Sequence, residues 1–366
     1  MHELLDVFEN YLDTKRLTEG LATKIAGAKD QQRLLHDLPL LFRQFLGKRA
    51  EDFTVKGSIG SGNMPRVPWV GVFRTAITDS AENGYYIVLL FSEDMQSCYL
   101  SLNQGFTAFT EQYAPKLATL KISETAQRAI ANLTLRPREI PGQIVLATKG
   151  RLGKGYQQGA IVSYRYEANA LPTQDQFRQD FEHLLQHYDT LFQLVGKSLQ
   201  TLSPVTESQY QQSVLEQLGE TQEVAEPVGG VDIPNKTNNQ KQANPYPRNP
   251  KYAVKALKAA NFQCELDPSH HTFLSSAKGK PYIEAHHLIP MAEQSHFEKS
   301  LDVSANIIAL CPTCHRFLHH GRNADKKPAL KHLLAQRQER LKLMALEIDL
   351  GALVKCYSRD LLGEEE

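Results

Sequence analysis

Six histidines and three cysteines in the last third of the 366-residue chain are of the residue types from which metal centres are built. Cys311 and Cys314 are separated by two residues in Cys311-Pro-Thr-Cys314, a knuckle that offers two thiolates to one tetrahedral zinc ion. A third thiolate is available from Cys264. The fourth ligand must then come from the histidines that follow it, and local spacing does not choose between His270 and His271. Downstream of the knuckle, His315 and His319 are four residues apart, so on a helix they share a face. Upstream, His286 and His287 close a strand-like apolar stretch and precede Leu288-Ile289-Pro290. Hydrolysis of a phosphodiester needs an activated water, a cation to stabilise charge on the phosphate and leaving oxygen, and close placement of all three. Imidazoles can act as base and hold the cation.

Composition narrows the possibilities. Lys and Arg number 41 and so do Asp and Glu, giving no net charge, with 41 % hydrophobic residues. This is the balance of an ordinary globular chain of about two domains. The average conceals an asymmetry: residues 245–346 hold 15 Lys and Arg against 8 Asp and Glu, the charge expected of a surface that meets a phosphate backbone. Five cysteines, an odd and sparse number, argue against a disulfide framework. No apolar run reaches the length of a membrane span, and residues 1–6 lack the basic-then-apolar pattern of a signal peptide. A cytoplasmic protein with no membrane partner is expected. A Walker-type phosphate loop is absent from the sequence, so nucleotide-driven translocation is not expected.

The elements that must position these residues follow from periodicity. Residues 1–50 have helical spacing of Leu and Phe. Residues 67–73, 85–91 and 96–102 read as strands, with Asn83-Gly84 as a turn. Residues 106–117 and 124–133 read as helices, 143–147 and 159–164 as strands, and 174–202 as one long amphipathic helix. Residues 1–202 therefore form one mixed α/β domain. Gln, Asn, Pro, Gly and Thr dominate 203–248, which reads as a flexible linker whose first part can continue as helix. The second domain, 249–366, opens on Asn249-Pro250, an N-cap before a helix-starting proline, and closes on a helix over about 328–346.

The segment from Cys264 to His319 resembles the HNH endonuclease family, and more closely its zinc-containing, McrA-like branch. The resemblance implies a ββα-metal fold, so that the whole is an α+β protein with a structural zinc in its C-terminal domain. It implies that His287 is the general base, that His286 and His315 hold a catalytic Mg²⁺ or Mn²⁺, that Asn306 orients the base and its loop, and that His319 binds metal or phosphate. The family's usual first Cys-x-x-Cys is missing, and Cys264 with His270 would replace it beside Cys311 and Cys314. Arg316 would meet the DNA backbone. A non-catalytic zinc-containing DNA-binding module is the alternative reading of these residues.

Further upstream, a glycine-rich stretch from Gly57 to Gly62 leads to Trp69, the chain's one tryptophan. Glycines allow close approach, and an aromatic ring can stack on an extruded base. Residues 55–109 resemble the MrcB-like N-terminal domain, which reads modified cytosine by flipping it into an aromatic pocket. That resemblance implies Trp69 as one stacking wall and Tyr86 and Leu90 as pocket lining. Ser61 falls where a second stacking aromatic is usual, which makes a roomier pocket. Lys56, Arg66 and Arg74 are candidate phosphate contacts. The partner implied is double-stranded DNA with modified bases. Since one HNH site cuts one strand, a homodimer is expected for double-strand breaks.

Overall fold

The computed structural model describes residues 1–18, 25–60, 63–113, 115–203, 205–218, 224–233, 246, 248–275 and 279–358. The chain divides into two compact units, Met1–Glu111 with Ala118–Ser203, and Gln112–Leu117 with Pro204–Glu366. Among the described residues, no helix is long and apolar enough to cross a membrane.

The first unit is built on strands β1 (Phe53–Ser58), β2 (Trp69–Arg74), β3 (Tyr85–Phe91), β4 (Ser97–Gln104), β5 (Ile140–Pro141) and β6 (Ala160–Glu167). They form an antiparallel six-stranded sheet in the order β1-β2-β3-β4-β6-β5. Every residue of β3 is buried, as a central strand covered on both faces must be. On one face pack α1 (His2–Leu17), α2 (Lys29–Gln32), α3 (Leu38–Leu46) and α7 (Gln174–Val195). Leu4, Val7, Phe8 and Tyr11 of α1 are buried at the i, i+3, i+4, i+7 spacing of an apolar stripe. The opposite face carries a smaller cluster of Val67, Phe73, Tyr86, Leu90, Tyr99, Ile144 and Leu146. Helices α4 (Phe106–Gln112), α5 (Pro115–Ile130) and α6 (Arg151–Gly159) complete the order.

Two local expectations change, and one helix was not foreseen. Residues 143–147 are not a ladder strand. Ile144 and Leu146 are buried while their neighbours are exposed, but Ile144 N bonds Gln157 O of the helix over Arg151–Gly159 and Glu93 N bonds Leu146 O, so the backbone pairs with a helix and a turn, and β6 takes β5 as its edge partner. The long helix ends at Val195 rather than 202, because Gly196 leaves at φ 64°, a left-handed conformation that glycine adopts without strain. Helix α6 lies in a stretch with glycines at 153 and 155, which helical propensity alone disfavours.

Helix α8 (Glu207–Gln217) opens the second unit, followed by α9 (Pro250–Ala259), β7 (Glu284–His287), β8 (Ile307–Leu310), α10 (Pro312–His320), α11 (Asn323–Leu343) and α12 (Leu350–Cys356). Here the linker expected over 203–248 is corrected. Tyr210 and Val214 of α8 belong to the unit's core, with Val224, Val231 and Ile233 packed against it. Ser304 donates from its backbone N and from Oγ to the Glu226 carboxylate, and Gly229 N donates to Leu343 O. The 234–245 part of the expected linker lies outside the described residues. The last long helix starts at Asn323, ahead of the expected 328, with Pro328 inside it.

Strands β7 and β8 pair antiparallel, His286 opposite Ile308 and His287 opposite Ile307, and α10 follows β8 directly. This is the expected ββα arrangement. The outer edge of β7 is closed by a side chain: Gln211 Nε2 donates to Ala285 O at 2.7 Å, and Ala285 N donates to Gln211 Oε1 at 3.0 Å. One amide thus takes the place of a neighbouring strand. Gln211→Ala leaves both backbone groups buried and unpaired, at about 1–3 kcal/mol each. A drop of roughly 2–4 kcal/mol in unfolding free energy of this unit is expected in urea titration; an unchanged midpoint would show that water takes over both bonds.

Candidate active site and metal centre

The knuckle cysteines sit at the N-terminus of α10. Cys311 is the N-cap, its Sγ accepting from Cys314 N at 3.4 Å, and Pro312 takes the first helical position. Cys264 is fully buried, and the adjacent Glu265 is locked to β8 by Glu265 N to Ala309 O at 2.8 Å and Ala309 N to Glu265 Oε2 at 2.7 Å. Arg337 of α11, itself buried, donates to both Glu265 oxygens at 2.6 Å.

Of the two histidines the sequence left open, His270 is the one that reaches the sulfurs. Its Nδ1 lies 3.3 Å from Cys314 Sγ and 3.6 Å from Cys311 Sγ, while Asp267 stands 3.5 Å from Nε2 on the far side of the ring. Ligand atoms of Cys264, His270, Cys311 and Cys314 all lie within 4.8 Å of one another. Three sulfurs and one nitrogen so gathered fit the donor set and number of a structural zinc site, with Asp267 placed to orient the imidazole. Burial opposes ionisation of Cys264, yet hydrogen bonds from the backbone of Cys311 and Asp267 and from His270 shift its thiol down. Burial and the neighbouring sulfurs push Cys314 up. Crowded thiols of this kind call for a cation.

A second cluster joins β7 to α10. The rings of His286, His315 and His319 are 4.8–5.0 Å apart centre to centre, and their ligand nitrogens lie within 4.8 Å of one another. Burial, and then the proximity of His315 and His319, hold His286 well below the ordinary imidazole range, so it stays neutral and able to ligate. The ring of His315 is fixed by Glu284, whose Oε2 lies 2.6 Å from Nδ1. Against the opposing effect of burial, the bonds from His315 and Tyr282 keep the Glu284 carboxyl low. Three imidazole nitrogens can hold a divalent cation that retains open positions.

His287 is buried, and its Nε2 is 2.9 Å from Asp302 Oδ1. Asn306 is wholly buried and straps the loop after β7, donating to Ile289 O and Leu301 O at 2.9 Å and accepting from Ile289 N at 2.8 Å. It therefore organises the loop, and the bond to the imidazole comes from Asp302 instead.

His286, His287, His315 and His319 line one small cavity with Glu207, Arg248 and Tyr357. Sequence reasoning singled out none of these last three as site residues. Glu207 belongs to α8; although burial works against it, the Arg248 guanidinium 2.6 Å away holds its carboxyl at about 2. Arg248 also lies 4.2 Å over the Tyr210 ring. Tyr357, just past α12, places its hydroxyl 2.9 Å from His286 Nε2 and donates to Leu288 O at 2.9 Å. Arg316 is exposed on α10.

In the first unit, β2 and β3 set Trp69 opposite Leu90. Trp69 is half-buried and Leu90 wholly buried. Phe73, which sequence reasoning passed over, lies edge-on to Trp69 at 6.1 Å and tilted against Tyr86 at 5.0 Å. Tyr86 is fully buried and donates its hydroxyl to Ala81 O at 2.8 Å. Of the three, Trp69 is the one with a face left to offer. Ser61 lies outside the described residues. Lys56 is exposed, its Nζ 5.4 Å over Phe73, and Arg66 is exposed but paired with Glu93 at 3.0 Å. Arg74 is corrected as a phosphate contact: it is largely buried, bonded to Asp189 and stacked 4.5 Å over Phe192.

Residues 7–193 match the family described as MrcB-like, N-terminal domain, and residues 272–321 match HNH endonuclease. The chain is similar to the type IV methyl-directed restriction enzyme EcoKMcrA of Escherichia coli (strain K12), with 35 % identity over 81 residues. That match covers 22 % of this chain and 27 % of the relative, so the chain spans about a quarter of the relative's length. The chain belongs to the family of the MrcB-like N-terminal domain, and joined to that domain it carries an HNH endonuclease domain of the McrA-like kind.

Proposed function

We propose that the protein is a type IV, modification-dependent restriction endonuclease that acts in the cytoplasm on double-stranded DNA carrying modified cytosine. The observation that carries this reading is the convergence of His286, His315 and His319 on one side of a ββα unit, with His287 beside them in the same cavity. His287 takes a proton from the attacking water as its oxygen bonds to phosphorus, and the bond from phosphorus to the leaving oxygen breaks. A divalent ion, Mg²⁺ or Mn²⁺, supplies charge stabilisation on the phosphate and the leaving oxygen when bound by the three histidines. Glu284 holds His315 in place, Asn306 holds the loop, and Arg316, exposed on α10, offers positive charge to the backbone. Zinc at Cys264, His270, Cys311 and Cys314 anchors the start of α10. Two protomers, or two binding events, cut both strands.

Specificity is assigned to the first unit, where Trp69, with the buried Leu90 opposite it on β3, offers the face against which an extruded base stacks. Base–aromatic stacking contributes about 1–3 kcal/mol. Trp69→Ala is therefore expected to weaken binding to modified duplex about tenfold or more in fluorescence anisotropy, with little change on unmodified duplex. Equal losses on both duplexes would remove Trp69 from base reading. The function itself is tested with Mg²⁺ or Mn²⁺ and matched plasmids that are unmodified, methylated, hydroxymethylated or glucosylated. Cutting confined to one or more modified plasmids is expected. Equal cutting of all four would leave an HNH endonuclease without a modification requirement, and cutting of none would leave a DNA-binding module.

A further inference from the structure

Asp302 and His287 are both nearly inaccessible, their side chains 5 % and 6 % exposed, with Oδ1 and Nε2 2.9 Å apart. The other carboxylate oxygen, Oδ2, accepts from the backbone N of Asn249, and Asp302 N donates to Ser300 Oγ. The Asp302 carboxylate is therefore held by the chain on one side and meets the imidazole on the other. A buried carboxylate accepts and cannot donate, and leaving either oxygen without a donor is costly. The imidazole nitrogen facing Oδ1 must then carry the proton. In a neutral ring that leaves one basic lone pair, on Nδ1. The Tyr210 ring, 6.2 Å from the imidazole and tilted by 36°, packs beside it, while the Asn306 straps fix the chain that follows.

We propose that Asp302 is the positioning residue of the nuclease: it selects the Nε2–H tautomer of His287 and so makes Nδ1 the atom that removes the proton from water. This rests on the reading of His287 as general base. As Nδ1 takes that proton the ring becomes an imidazolium, and the carboxylate opposite Nε2–H stabilises the charge, as buried carboxylates do behind catalytic histidines elsewhere. Asp302 touches neither substrate nor metal in this scheme.

The test uses full-length protein labelled with ¹⁵N-histidine, wild type and Asp302→Asn. In Asp302→Asn the side-chain oxygen continues to accept from Asn249 N, which turns the amide NH₂ toward His287 Nε2. That nitrogen must now accept, so the proton moves to Nδ1. Long-range ¹H–¹⁵N spectra are expected to show the Nε2–H tautomer in the wild type and Nδ1–H in the variant. In parallel, kcat is expected to fall about 100-fold with KM changed less than about threefold, and Asp302→Asn is expected to cost nothing further in a His287→Ala background. A variant that keeps both tautomer and kcat overturns the proposal. Should the variant not fold, the wild-type spectrum decides: an Nδ1 proton, or an Nε2 proton in free exchange with water, overturns it. Failure of the base reading has a separate signature, an active His287→Ala enzyme, and is told apart by that variant alone.

Discussion

Replacing His287 by alanine is expected to reduce DNA cleavage by at least about 1,000-fold while leaving divalent-ion and DNA binding near their wild-type levels. General base catalysis contributes about 100- to 10,000-fold, and among the described residues the other imidazoles lining the cavity belong to the candidate metal cluster. His286, His315 and His319 form the cluster that would hold the cation, and Glu284 is committed to His315 and Tyr282. The substitution also strips Asp302 of its imidazole partner, an effect of about 1–3 kcal/mol on stability, so activity must be compared below the melting transition of the variant. Single-turnover cleavage with Mn²⁺, paired with Mn²⁺ titration by paramagnetic resonance, separates base from ligand. Residual cleavage within tenfold of wild type would remove His287 from the chemistry.

Loss of the cysteine-bound metal is expected to have a different and larger effect. Cys311 and Cys314 form the first turn of α10, and the same helix carries His315 and His319. Structural zinc sites contribute roughly 10–16 kcal/mol at neutral pH, as much as the entire stability of most domains, about 5–15 kcal/mol. Cys314→Ser, or exhaustive chelation, should therefore abolish the cooperative unfolding transition of the second unit and with it all nuclease activity. The first unit has its own apolar clusters on the two faces of its sheet, and its transition should survive. Calorimetry reads both transitions, and elemental analysis should find one zinc per chain. A Cys314→Ser protein with an unaltered second transition would show that the sulfurs hold nothing the fold depends on.

What the sequence made legible was whatever depends on short-range spacing. The four-residue interval from His315 to His319 and the three-residue interval from Cys311 to Cys314 are properties of one helix and its first turn, and the structure joins each to partners far along the chain. His270 could not be told from His271 because both lie in the same turn; the difference is which ring the Asp267 turn aims at the sulfurs. Asp302 is four residues from Asn306, and nothing local says that its carboxylate meets an imidazole 15 positions back. Composition misled most over 205–233. Gln, Glu and Thr there resemble solvated linker, yet Gln211, Glu207 and Glu226 are each bonded to backbone or to an arginine or lysine of the second unit. Polar residues with long-range partners are invisible to periodicity. Glycine had the same effect in α6: a Cβ at position 155 would stand 2.4 Å from the Phe106 ring, so the residue that lowers helical propensity is there for close packing.

The amide of Gln211 bears on how enzymes of this build can exchange parts. A recombination junction placed at Asn249, where the helix before the histidine cluster begins, would leave Gln211 and Glu207 with the departing half. The incoming nuclease would present β7 with a bare edge, an open template for strand addition between copies, and Arg248, which lines the histidine cavity, would be lost with its Glu207 partner. Shuffling of readers among such cutters should accordingly leave breakpoints ahead of residue 205, so that α8 travels with the nuclease whatever reader is fused in front.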